Sequence, residues 1–294
     1  MIYVLIALLA PIFHSISCIF DSHFANNVFK RPATLVFYSS ITNILIIPFI
    51  LLIGTPSVPS ASVFAVISLV AFIDVFYLFP WYAALKRADT SISVALFSLG
   101  KIAVPIFAWL IVGEKLHWSQ YLGFGIIVAS SFVLNFDRKK LKLNAAFYLM
   151  FAVSLALSLA GVLNKFSLER ESFVTVMFWS TLLSTALSLL FLIPSKMRAE
   201  TKNEFPTYKK RFRFFILNET LVQAGDLAAL VALSHLPVLA AKSISSSQPI
   251  FTLVFGFVLY KIFGDRFREN LGRAEIVKKL MFFVFIMIGI AMVL

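Results

Sequence analysis

Lys101 stands in the middle of an otherwise apolar stretch between Val94 and Val112. A charge at bilayer depth costs about 2.5–3.5 kcal/mol on insertion scales, so its ammonium must face water or a partner, not lipid. The i, i+3, i+7 spacing puts Ser98, Lys101 and Pro105 on one helical face, and Lys242, Ser245, Ser246 and Pro249 share a face in the second half of the chain. Matching Ala84-Leu85 to Ala232-Leu233 sets the two lysines on equivalent faces about two turns apart. That arrangement predicts two cations flanking a cavity, able to hold the carboxylate or phosphate of a substrate. The competing structural readings are an ion pair between Lys101 and Asp74, and snorkelling of Lys242 from its place near a helix end.

Acidic residues form stripes of the same kind. Glu219, Gln223 and Asp226 follow one another at i, i+4 and i+7, and Asp74, Tyr77 and Trp81 at i, i+3 and i+7. Such stripes face the protein interior, where a carboxyl can gain and lose a proton as its surroundings change. For Glu219, nearer a membrane edge, structural pairing is the stronger reading. His14, Cys18 and Asp21 make a third stripe, with His23 beyond it. A histidine there can join a proton relay or simply hold two helices together. Four converging ligands at recognised spacings are missing, so neither a metal nor another cofactor is expected. No His-Glu-x-x-His and no nucleophile–base spacing points to an enzyme. One cysteine, Cys18, leaves disulfides no role.

The elements that position these residues are helices in a membrane. Sixty per cent hydrophobic residues, 33 Phe among 294 residues and a mean hydropathy of +0.93 leave too little polar surface for a soluble globule. Apolar runs near 20 residues, without period-2 alternation, predict spanning helices at about 2–22, 33–53, 61–85, 90–112, 118–135, 144–163, 172–193, 214–234, 238–262 and 276–294. The first lacks a basic leader and a cleavage site, so a retained helix is expected there. Apart from Lys101, Lys115, Lys165, Arg170 and Lys242, all 26 Lys and Arg residues fall into five alternating loops. Those loops are expected on the cytoplasmic side, and both termini on the other. The net charge of +12 is therefore a topology signal; the basic residues lack interleaved aromatics on one polar face, so no nucleic-acid partner is expected.

The chain also repeats itself. Phe37-Tyr38-Ser39-Ser40 in the second segment is echoed by Phe178-Trp179-Ser180-Thr181 in the seventh, and Ala84-Leu85 by Ala232-Leu233. Two five-helix repeats follow, 1–143 and 144–294. Because five is odd, the second enters the membrane from the opposite side. An inverted repeat of this kind is characteristic of secondary transporters, with the substrate site near the midplane. A duplicated scaffold is the alternative, disfavoured by the intramembrane charges.

These residues resemble the drug/metabolite transporter superfamily, and its EamA-like family in particular, over the whole chain. The resemblance rests on the Ala-Leu pairs, on Ser245-Ser246-Ser247-Gln248-Pro249, on Gly113-Glu114-Lys115-Leu116 and on Gly264-Asp265. It implies an all-α membrane protein of ten transmembrane helices, built as two inverted five-helix repeats. Two departures stand out: Gly100-Lys101 replaces the expected proline step in the first half, and Asp265 comes about three residues late in the second. By the resemblance, Lys101 then charges a helix that lines the cavity.

The expected function is secondary transport, by alternating access, of a small zwitterionic or anionic metabolite resembling an amino acid, coupled or not to protons. Partners are that solute and the lipid bilayer, a monomer suffices, and the location is a plasma membrane such as the bacterial inner membrane. A lipid-carrier flippase and a non-transporting scaffold or sensor are the alternatives. Candidate substrate contacts are Lys101, Lys242, Ser98, Ser246, Tyr77, Trp81 and Gln223; candidate proton carriers are Asp74, Asp226, Glu219, His14 and Asp21.

Overall fold

The computed structural model describes residues 2–87, 90–115, 117–135, 145–263 and, within 281–293, all but 283, 286 and 290. Among these residues every regular element is helical. In order they are α1 (Ile2–His23, prolonged by a π turn to Val28), α2 (Pro32–Asn43), α3 (Ile47–Ile53), α4 (Ala61–Phe76), α5 (Leu78–Leu85), α6 (Thr90–Gly100), α7 (Val104–Val112), α8 (Trp118–Asn135), α9 (Ala145–Leu168), α10 (Phe173–Leu189), α11 (Ser195–His235), α12 (Val238–Ile244) and α13 (Gln248–Phe263). Lipid leaves backbone polar groups no other partner than the helix itself.

Among the described residues, seven continuous helical stretches are long and apolar enough to cross a membrane: Ile2–Val28, Pro32–Ile53, Ala61–Leu85, Tyr148–Leu168, Phe173–Leu192, Ser195–His235 and Val238–Ile262. The chain is an integral, multi-pass membrane protein. The other three expected segments correspond to the broken pair α6–α7, to α8, and to helical residues within 281–293. The basic loops at 136–144 and 264–280, with Gly264-Asp265, lie outside the described residues.

Local chemistry sets the ends. Pro32 and Pro105 occupy the first turns of α2 and α7, where the missing N–H costs nothing. Ser172 Oγ accepts from Thr175 N at 3.2 Å and starts α10. Gly113, at φ +69°, closes α7 in the left-handed conformation glycine tolerates. One expectation is corrected here. Residues 195–213, read as a basic loop, form the first half of α11, a helix of 41 residues that runs through Pro206. Lys, Arg and Glu are good helix formers, and Thr201, Phe205, Tyr208 and Phe212 recur at helical spacing to give this stretch an apolar face against α2.

The two halves interlock. α1 packs on α11 and α13, while α9 packs on α4 and α6; α2 packs on α11, and α10 on α4. The first and second segments of each half thus rest on the third of the other. Glycine makes the tightest of these crossings possible: a Cβ on Gly100 would overlap the backbone of Ser154 in α9. A Cβ on Gly123 would fall 2.6 Å from the Gly289 carbonyl oxygen, whereas Gly125 faces open space. Four apolar clusters are formed among the described residues, the two largest around Phe20, Phe24, Trp81, Tyr82 and Phe215 and around Ala7, Val104, Phe124, Val162 and Leu239.

Candidate functional site

α1 and α11 run antiparallel, which brings their polar stripes together twice. At the first meeting His14 Nε2 lies 3.1 Å from Asp226 Oδ1, off the hydrogen-bond direction, with 27% and 48% of the two side chains exposed. Gly225 permits this, because a Cβ there would overlap the imidazole. Asp74 on α4 lies within electrostatic reach of Asp226 and Lys242. The Lys242 ammonium rests against Gly161 of α9, in the space a side chain there would take. Among the described residues its Nζ makes no hydrogen bond. Gln223 is buried one turn before Asp226, and Tyr77 sits half-buried at the break between α4 and α5.

The second meeting is closed. Asp21 accepts from Trp81 Nε1 and from Asn218 Nδ2, both at 3.1 Å. The same Asn218 amide reaches Glu219 Oε1 at 3.3 Å, and Ser39 Oγ donates to that oxygen at 2.5 Å. Asp21 and Glu219 are 8% and 4% exposed, and no ion pair among the described residues includes either. Three spanning segments hold both layers at one spacing: His14 and Asp21 on α1, Asp74 and Trp81 on α4–α5, and Glu219 and Asp226 on α11 are each seven residues apart. Seven residues are about two turns, or roughly 10 Å of helix.

Lys101 is placed differently from the expectation of a cavity cation, and it does not turn to Asp74 either. Its Nζ donates to the Lys242 carbonyl at 3.2 Å, to Ser245 Oγ at 3.2 Å and to Ser246 Oγ at 2.8 Å. Those atoms belong to the 3₁₀ turn Ser245–Ser247, which interrupts the helix between α12 and α13; an equivalent turn, Lys101–Ala103, interrupts α6–α7. A cation at the carbonyl end of α12 complements its dipole. Three charge-assisted bonds, each worth about 1.5–3 kcal/mol, offset the cost of burying the charge. Ser246 is therefore engaged by Lys101, and the side chain of Ser98 lies outside the described set. Cys18 Sγ accepts from Gln248 Nε2 at 3.4 Å and Ser15 donates to the Gln248 carbonyl at 2.9 Å, tying α1 to α13.

Several residues escaped the sequence reading. Glu114 accepts from the backbone N–H of Val238 at 2.9 Å and so caps α12, while Lys165 donates to the carbonyls of Leu233 at 2.8 Å and Leu236 at 3.2 Å at the end of α11. Together they clamp the turn between these helices from the other side of the bundle. Gly-Glu-Lys-Leu was the visible signal for Glu114. Asn218, Gly161 and Gly225 gave none, since an amide and two glycines in apolar runs read as packing. No group of three or more His, Cys, Asp and Glu residues suited to a metal occurs among the described residues.

Comparison with known proteins places this geometry in context. The sequence profile of the EamA-like transporter family matches residues 1–136 and again 144–294. No curated protein matches the chain. Among solved structures, one described only as a crystal structure of a protein superposes with a TM-score of 0.59, covering 97% of this chain and 95% of that one at 14% sequence identity. That likeness speaks to the fold.

Proposed function

Because the chain belongs to the EamA-like transporter family, whose members move small molecules across membranes, we propose that it is a proton-coupled secondary transporter of a small zwitterionic or anionic metabolite. The observation that carries this reading is the open polar layer: a carboxylate on a spanning helix with 48% of its side chain exposed, in contact with His14 and near Lys242. Exposure at that depth implies a water-filled cavity. Lys242 is the cation for an anionic group of the cargo, Asp74 and Asp226 receive its ammonium group, and the His14–Asp226 pair takes up and releases protons. Lys101 acts one step removed, as a positioning residue that holds the α12–α13 break in shape.

The broken helices supply the moving parts. Interruptions at Lys101–Ala103 and Ser245–Ser247 stand at corresponding places of the two halves, as discontinuous helices do around midplane sites in inverted-repeat transporters. The halves rock about them in alternating access, in the inner membrane of a bacterium and as a monomer. Counterflow of labelled amino acids in proteoliposomes tests the proposal. Saturable counterflow that is lost in Lys242→Ala and retained in part in Lys101→Met supports it. Turnover of the solute would indicate an enzyme, scrambling of a lipid carrier a flippase, and inactivity towards every solute and lipid a scaffold.

A further inference from the structure

The first half of α11 and the lower part of α2 enclose a groove of about 610 Å³. Its floor is apolar, formed by Phe37, Ile41, Phe205 and Phe212, and it opens past Leu45. Leu45, on the spanning segment Pro32–Ile53, and Phe205, on the charged first half of α11, are both exposed beside it. The other end is cationic. Arg198 and Lys202, one helical turn apart on α11, line it. Between them Thr201 is 6% exposed, and among the described residues its Oγ1 has no hydrogen-bond partner. Burying a hydroxyl without a partner is costly, and helical threonines ordinarily relieve this by bonding back along their own helix.

Two cations and an unsatisfied hydroxyl at one end, then an aromatic trough that reaches the exposed Leu45 of a spanning segment, have the polarity of a phospholipid with an anionic headgroup. We infer that this groove binds one such lipid from the adjoining leaflet, its phosphate held by Arg198, Lys202 and Thr201 Oγ1 and an acyl chain lying along Phe205, Phe212 and Ile41. The charge pattern of the loops puts this end of the bundle on the cytoplasmic side, where anionic lipids attract basic pockets between helices. The site is separate from the polar layers, so it stands or falls independently of the cargo.

The test uses the full chain purified in neutral detergent. Phosphatidylglycerol should raise Tm by about 3–8 °C through binding-linked stabilisation, and phosphatidylcholine should raise it far less. Arg198→Ala combined with Lys202→Ala should remove the difference between the two lipids. Lys209→Ala with Lys210→Ala, exposed positions on the same helix outside the groove, should keep it. Native mass spectrometry of the wild type should retain one phosphatidylglycerol, which decides the matter should the double variant fail to fold. Equal effects of the two lipids, an undiminished difference in Arg198→Ala/Lys202→Ala, equal loss in the Lys209/Lys210 variant, or an equal shift from inorganic phosphate would each overturn the assignment.

Discussion

Two polar layers are stacked along the same three spanning segments, about two turns apart, and they differ in access to water. In the layer of His14, Asp74 and Asp226 the side chains remain partly exposed, and Lys242 stands by without a hydrogen bond among the described residues. In the layer of Asp21, Trp81 and Glu219, an asparagine, an indole and a hydroxyl hold both carboxyls and little surface remains. Composition does not separate the layers, since each has two acids. What separates them is whether neighbours present enough donors, and enough apolar bulk around them, to replace water.

The largest effect should be in accessibility. With Cys18→Ser as background, a cysteine at position 226 should react with a water-soluble thiol reagent roughly tenfold or more faster than one at position 219, because thiol chemistry follows exposure. Equal rates would erase the contrast. Next in size, Asp226→Asn should keep exchange of cargo for cargo while losing accumulation driven by a pH gradient, by a factor of about 5–150 if the coupling lies in the usual range. Accumulation in the wild type that ignores the gradient would leave a facilitator or exchanger.

Gly225→Ala forces the imidazole away from Asp226. Overpacking of this kind costs about 1–3 kcal/mol, visible as a lower Tm together with impaired coupling. Smallest should be Glu219→Gln: it keeps an acceptor for Ser39, so stability should fall by less than about 1 kcal/mol, whereas Glu219→Leu, which strands Ser39 and Asn218, should lose about 1–3 kcal/mol. A loss from glutamine as large as that from leucine would show that the charge itself matters in the closed layer.

Much of this arrangement was legible in the sequence. The stripes were readable, since helical periodicity fixes which residues share a face, but their division into two layers was not. Periodicity does not say which stretch of a stripe is closed, because closure depends on residues from other helices, such as Ser39 and Asn218. Lys101 shows the same limit: its face was readable, but its target, a carbonyl 141 positions away, was not. The stretch 195–213 was misread because charge density suggests a loop, while its aromatic stripe becomes meaningful only with α2 beside it.

The interlocked halves have a consequence for biosynthesis. Asp21 meets Asn218, its partner 197 positions further on, only after most of the chain is made. At about 5–20 residues per second this interval is roughly 10–40 s. During it His14 lacks Asp226 and Asp21 has Trp81 but not Asn218, so a ribosome that stalls before α11 leaves a nascent product with incompletely matched polar groups in lipid. Synonymous changes that slow translation between residues 30 and 218 should therefore lower the yield of mature protein, even though every substituted codon encodes the same amino acid.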